Sequence, residues 1–481
     1  MVTSETVPFS KSGGLADVVG ALSSSMVENG NNVRVFMPMY SFIDSKNFKK
    51  SVDIEIDMLS RKEKAQCLET VVDGVVYVGL DHSFFSERKG IYGDTSFTPY
   101  PDNCERFLLF AKAVGLYIKE SGFDADIVHC HDWTAGTVPY FLKEQGIKTK
   151  TVFTIHNLAY QGVFSSYDAI TAGSVLTEDL LEGPEMHKQL NMLKAGLVTS
   201  DKITTVSPTY SKEIQEEKLG CGLDWLLKER SSDLSGIING IDYKEWNPDG
   251  DKFFDEHFNS KSIEGKAKLK ARIQAENGLE VNPDIPLFAM ISRLAEQKGF
   301  SELLLTSAPS ALEKILTNNN VQFIIIGTGD DRYVSKLREI ESRCPNLRVL
   351  IAFSNSLAHQ VEGAADFFLM PSRYEPCGLN QLYSLHYGTL PIAHKTGGLA
   401  DSIVDLKENP ESGTGFLFEN LNEDEIVKEA ENAIMLYNDK VRLGNAIVRA
   451  METDFTWTRS ADEYEKLYKT ITRKSFGGNI K

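Results

Sequence analysis

Arg293 and Lys298 stand five residues apart in "ISRLAEQKG", where an apolar run gives way to a helical stretch. An arginine offers a planar fork and a lysine a point charge, so the pair suits a diphosphate as well as it suits a surface ion pair. Glu375 and Cys377 lie in "PSRYEPCGLNQLY", a turn before a helix whose glycine and free N–H groups suit an anion; Glu375 before proline is equally an ordinary turn residue. His131 and Asp132 close one apolar run in "VHCHDW", and His156 and Asn157 close another in "FTIHN". Taken singly, a satisfied core histidine and a helix-capping aspartate explain these residues too. Lys11 precedes paired glycines in "KSGGLADVVGAL", and nearly the same phrase, "KTGGLADSIVDL", returns at Lys395. Paired glycines let backbone N–H groups approach a phosphate or a sugar, or simply make a turn. The repetition implies that both loops do comparable jobs.

Residues this scattered need a scaffold that gathers strand ends. Six β-rich runs, at 32–38, 74–80, 125–132, 149–157, 202–208 and 235–242, alternate with helical stretches. Five more follow at 286–294, 321–329, 347–353, 365–372 and 389–398. Several are nearly continuous Val, Ile, Phe and Leu, as strands covered on both faces require. Amphipathic stretches such as "NCERFLLFAKAVGLYIKE" and "SELLLTSAPSALEKIL" separate them. The rhythm is βαβ played twice, which predicts an α/β chain of two Rossmann-like, doubly wound domains. The series breaks between 242 and 285, so the domains are expected at 1–242 and 243–455 with a hinge at about Asn239–Gly250. The helical stretch within 456–481 is expected to cross back to the first domain. In such sheets ligands bind beyond the carboxyl ends of strands, where most of the residues above fall.

Composition excludes several functions. At 481 residues with 42% hydrophobic and 25% charged residues, the chain is an ordinary globular protein of about two domains. A net charge of −17 argues against nucleic acid as a main partner, though not against a small anion held by a few cations. No apolar stretch approaches a membrane span. Six cysteines without a C-x-x-C pair read as reduced thiols in a cytosol-like compartment. No nucleophile elbow, phosphate loop or clustered metal-ligand set occurs, and "GTGDD" at 327–331 lacks the third glycine of a dinucleotide fingerprint. The opening "MVTSETVPF" reads as the tail of a strand.

Together these phrases resemble, in order and spacing, the bacterial glycogen synthase and plastid starch synthase family. The resemblance runs end to end through "KSGGLADVVGAL", "HDW", "FTIHNLAYQG", "TVSPTY", "INGID", "SRLAEQKG", "PSRYEPCGLNQLYSLHYGTLPI" and "KTGGLADSIVD". It implies the GT-B arrangement, two facing Rossmann-like domains with a cleft between them, and a retaining transfer of glucose from ADP-glucose to the non-reducing 4-OH of an α-1,4-glucan. UDP-glucose is the alternative donor, and an inactive glucan-binding homologue the alternative class. By the same resemblance Arg293 and Lys298 neutralise the diphosphate, and Glu375, Cys377, Gly378 and Leu379 hold glucose and the distal phosphate. Lys11, Gly13 and Gly14 approach the nucleotide sugar, Phe353 lies against the nucleobase, and Gly397 belongs to the second glycine loop. Asp132 and His156 line the sugar pocket with Asn157 beside them, and Tyr100 occupies another cleft position. No cofactor or metal is implied, and no nucleic acid or membrane. The implied location is the cytoplasm, or the plastid stroma where a plant or algal transit peptide has been removed. Three departures stand out: Thr134 where the family often has histidine, Tyr383 where broader retaining transferases have a second glutamate, and Met1 several residues inside the family's first strand.

Overall fold

The computed structural model describes residues 1–58, 61–94, 98–171, 181–182, 188–352 and 354–472. The chain forms two units. One takes Met1–Asn239 and the C-terminal helix Trp457–Ile471; the other is Gly240–Thr456. All eleven apolar runs contribute to strands, the run at 235–242 only through its first two residues.

In the first unit the strands are β1 (Arg34–Pro38), β2 (Lys49–Asp57), β3 (Lys62–Val72), β4 (Val75–Asp81), β5 (Ile127–His131), β6 (Lys150–Ile155), β7 (Val163–Ser165), β8 (Leu181–Glu182), β9 (Gln189–Asn191), β10 (Lys202–Thr205) and β11 (Leu234–Gly236), of which β2, β3, β7, β8 and β9 lie outside the apolar runs. Two four-stranded groups form, β2-β3-β4-β1 and β5-β6-β10-β11. Val2 joins them, bridging in parallel to Phe36 on one side and Cys130 on the other. The opening residues are therefore a short central strand, and the chain adds strands first on the β1 side of Val2 and then on the β5 side, as in a Rossmann sheet. Apart from the antiparallel β2-β3-β4 edge, the sheet is parallel. A small antiparallel group, β7-β9-β8, stands separately.

The second unit is a parallel sheet of β12 (Leu287–Ile291), β13 (Gln322–Ile326), β14 (Leu347–Leu350), β15 (Phe367–Met370), β16 (Leu390–His394) and β17 (Phe416–Phe418). Its order, β14-β13-β12-β15-β16-β17, is the 3-2-1-4-5-6 of dinucleotide-binding folds. Strand order reverses between β12 and β15, so the loops after these strands flank the crevice where such sheets bind ligands. β13 is buried at every position and β15 likewise, which is why they read as unbroken apolar runs.

Helices cover the sheets for reasons the sequence states. Asn103–Ser121 buries Phe107, Leu108, Phe110, Ala111 and Val114 and stops at Gly122, whose φ of 67° a side chain would resist. The stretch 301–316, expected as one helix, breaks into Phe300–Leu304 and Ala311–Asn318. Ser310 restarts the helix with a capping box to Glu313. From Ile241 onward the expected hinge is tied into the second unit: Trp246 stacks on His359 and Tyr383 with ring centroids 3.7 Å away on each side. Among the described residues no helix is long and apolar enough to cross a membrane.

Candidate functional site

In the second unit the loops after β12 and β15 meet at the strand-order reversal. Gly299 makes this possible: its φ is 77°, and a Cβ there would lie 1.8 Å from the Pro371 carbonyl oxygen. The close approach brings Lys298 Nζ within 2.6 Å of Glu375 Oε2, with little of either side chain exposed. Ser372 Oγ donates to the same carboxylate oxygen at 3.0 Å. Such a shielded pair holds both charges in a fixed place, at a desolvation cost that only good geometry offsets. Arg293, by contrast, is exposed and donates from Nη2 to Gln297 Oε1 at 3.1 Å.

The second glycine phrase supports the same turn from beneath. Gly398 N donates to the Glu375 carbonyl at 3.1 Å. A Cβ on Gly397, whose φ is 45°, would lie 2.0 Å from the Glu375 carbonyl oxygen, and one on Gly398 would lie 2.0 Å from that of Cys377. Cys377 is buried, Gly378 has a φ of 73°, and Leu379 is half-buried at the start of the helix Asn380–His386. Lys395 turns to the surface and pairs with Glu419 at 2.6 Å. Tyr383 is buried against Trp246, so an aromatic stack fills the position where a second glutamate was weighed. Phe353 lies outside the described residues.

In the first unit the corresponding reversal lies between the Val2 strand and β5. The first glycine phrase leaves the Val2 strand and opens the helix Gly14–Glu28, with Gly13 as its N-cap residue. Glu5 organises this loop: its carboxylate accepts from Ser12 N, from Ser12 Oγ at 2.9 Å and from Gly13 N at 3.2 Å. Tyr92 OH donates to Glu5 Oε1 at 2.7 Å. Lys11 is exposed and pairs with Asp17 at 2.8 Å. Space around Gly13 is open, with nothing within 4 Å of where a Cβ would stand.

At the end of β5, Asp132 adopts a φ of 57° and accepts from His156 N at 2.8 Å, across from the end of β6. Burial pushes its carboxyl up to about 7, against the stabilising N–H groups of His156 and Asn157, and the Glu5 charge adds to the rise. His156 is half-buried, and burial lowers its imidazole to about 3, so it is neutral near pH 7. Its Nε2 lies 3.0 Å from His131 Nδ1. Asn157 Oδ1 accepts from Ala159 N at 3.1 Å, shaping the turn after β6. Thr134 is buried.

Of the residues read from sequence, the structure gathers Lys298, Glu375, Cys377, Gly378, Leu379 and Gly397 in one unit, with Arg293 on the same loop as Lys298. Asp132, His156 and Asn157 gather in the other, and Lys11, Gly13 and Gly14 share the Glu5 loop. Tyr100 is not brought to that loop. Its hydroxyl accepts from Gly90 N at 3.1 Å, and its ring lies between the guanidinium groups of Arg88 and Arg106. Tyr92, whose carbonyl accepts from Tyr100 N at 3.1 Å, stands beside Glu5. Glu5 and Tyr92 carry no signal in the sequence beyond their residue type, whereas His131 is marked there by its strand-end place beside Asp132. Among the described residues no group of three or more His, Cys, Asp or Glu side chains is placed to hold a metal. In the second unit a shielded lysine–glutamate pair, an exposed arginine and a glycine loop at strand ends suit an anionic group; in the first, an oriented carboxylate, a neutral imidazole and a glycine loop suit a hydroxyl-rich one.

Residues 1–229 match the family described as starch synthase catalytic domain, and residues 272–448 match glycosyl transferases group 1. The chain is 40% identical to a glycogen synthase of Treponema denticola and 39% identical to one of Geotalea daltonii, each alignment covering 98% of both chains. Its fold superposes on the catalytic domain of starch synthase IV from Arabidopsis thaliana, bound to ADP and acarbose. That match has a TM-score of 0.87 and 29% identity, covering 98% of this chain and 99% of the other.

Proposed function

We propose that this chain, which belongs to the glycogen and starch synthase family of glucosyltransferases, extends α-1,4-glucan by moving glucose from ADP-glucose to a non-reducing 4-OH with retention. The observation that carries the reading is the Lys298–Glu375 pair beside Arg293 where strand order reverses. A glucosyl transfer breaks the bond between the sugar C1 and a diphosphate oxygen and forms one from C1 to the acceptor oxygen. Negative charge grows on the diphosphate while the sugar becomes oxocarbenium-like. Arg293 and Lys298 neutralise the first. Lys298 is already held by Glu375, so little reorganisation is needed when the charge develops. Asp132 and His156 orient the sugar, the Glu375–Leu379 turn holds its hydroxyls and the distal phosphate, and the two glycine loops admit the donor closely. The acceptor proton passes to the departing phosphate, which balances the reaction. ADP rather than UDP is favoured by the nucleotide in the Arabidopsis structure. We infer a cytoplasmic setting for the reaction, in keeping with six cysteines that form no disulfide among the described residues.

A donor-by-acceptor panel tests this. Glucose incorporation into glycogen from ADP-glucose at least tenfold faster than from UDP-glucose is the expected result. Faster use of UDP-glucose overturns the donor assignment. Retention of glucan without incorporation from either donor leaves a binding protein instead.

A further inference from the structure

Three histidines and a tyrosine form a file in the first unit that the roles given to Asp132 and His156 leave unexplained. His129 and His131 stand two residues apart on β5, so both point to the same face, and their rings lie with centroids 4.2 Å apart at a tilt of 32°. His129 is engaged at both nitrogens: Nδ1 lies 2.7 Å from Tyr468 OH, and Nε2 lies 2.5 Å from Thr154 Oγ1. His131 is engaged at one. Its Nδ1 faces His156 Nε2 at 3.0 Å, while its own Nε2 is buried with no partner among the described residues.

Burial holds all three imidazoles well below their ordinary range, so each is neutral and carries one proton. For His131 the place of that proton is decided by cost. A buried N–H with nothing to donate to is rarer, and dearer, than an unsatisfied acceptor. The proton therefore sits on Nδ1 and is donated to His156 Nε2. His156 accepts there and must carry its own proton on Nδ1. We propose that His131 is a positioning residue that fixes His156 in the Nδ1–H tautomer, so that His156 offers a donor to an oxygen of the bound sugar. The role in turnover rests on the glucosyltransferase reading; the tautomer does not. The opposite tautomer would leave a buried, unpaired Nε2–H on His131.

Ring-nitrogen NMR of the full chain with ¹⁵N-histidine tests the assignment, the His156 signals being those lost in His156→Gln. Wild type is expected to show His156 protonated at Nδ1. His131→Asn, whose amide N–H replaces the lost donor, should keep that tautomer and hold kcat within about threefold. His131→Leu should shift His156 toward Nε2–H and lower kcat about tenfold, with KM for the donor changing less than twofold. An Nε2–H signal in wild type overturns the proposal, as does His131→Leu with tautomer and kcat unchanged. Should His131→Leu fail to fold, the wild-type spectrum decides alone. Absence of any glucose incorporation by wild type would remove the functional reading while leaving the tautomer measurable.

Discussion

Asp132 holds a charge where the fold resists one, and its stability effect has a definite sign. The folded protein titrates this carboxyl near 7, against an ordinary value of 3.8. Below about pH 4 both folded and unfolded chains are protonated and no penalty exists. Between about pH 4 and 7 the unfolded chain gives up this proton while the folded chain keeps it, so stability falls as pH rises and levels off once the folded carboxyl has ionised above 7. Asp132→Asn keeps an acceptor for His156 N and cannot ionise. It should raise stability by about 2–4 kcal/mol at pH 8 and by almost nothing at pH 4, read from denaturant midpoints, while glucosyl transfer drops. Equal gains at both pH values would show that burial of the charge is not the cause. Lys298 behaves oppositely. Lys298→Ala leaves Glu375 buried without its cation, costing about 3 kcal/mol, and should lower kcat/KM at least a hundredfold. Adding Glu375→Gln should recover stability but not activity; activity within threefold of wild type in Lys298→Ala would remove it from the site. The residue types and strand-end positions of Arg293, Lys298, Glu375, Asp132 and His156 are legible in the sequence. Their partners are not. A lone Glu5 in "TSETVPF" carries no periodic or motif signal, and Tyr92 and Tyr100 are indistinguishable until chain geometry sends one to Glu5 and the other between two arginines.

At the scale of elements, the two glycine phrases have unlike structural needs despite their likeness in sequence. Gly398 lies against backbone: a methyl group there would meet the Cys377 carbonyl oxygen at 2.0 Å and its Cα at 2.5 Å. Gly398→Ala should therefore displace the Glu375–Cys377 turn, costing about 1–3 kcal/mol and most of the activity. Gly13 has extended backbone, with a φ of −157° and open space around it. Gly13→Ala should leave unfolding free energy unchanged within about 0.5 kcal/mol, read from denaturant midpoints, and raise KM for the donor. An unchanged KM would mean that no ligand approaches this loop. Fully buried parallel strands were legible because both faces are apolar. The antiparallel β2 and β3 escape the reading, since Lys49–Asp57 and Lys62–Val72 alternate charged and apolar residues along a half-exposed edge. The 301–316 stretch misleads in the other direction: apolar spacing continues through "TSAPS", but Ser310 and Pro309 interrupt the backbone ladder.

On the scale of the whole chain, the first unit is discontinuous: the path leaves it at Asn239 and re-enters at Trp457. Closing so long an insertion costs entropy that grows only logarithmically with length, so the returning helix needs modest burial to hold. It has more than that. Trp457, Ala461, Tyr464 and Tyr468 join the core of the first unit, and Asn29 and Asn31 on the opposite element donate to Glu465 at 3.1 and 2.8 Å. Ser460 Oγ donates to the Ile238 carbonyl at 2.7 Å, tying the helix to the segment that leaves the unit. Ending the chain at Thr456 should therefore weaken one unit selectively. Amide exchange is expected to quicken in Gly14–Glu28 and β5, which the helix covers, while β12 to β16 keep their protection. Glucosyl transfer should fall as well, because the His129–Tyr468 contact at 2.7 Å disappears beneath His131. Tyr468→Phe separates the two effects: the ring still packs, so exchange should change little. Quickened exchange spread evenly over both units would instead mean that the last helix stabilises the chain as a single block.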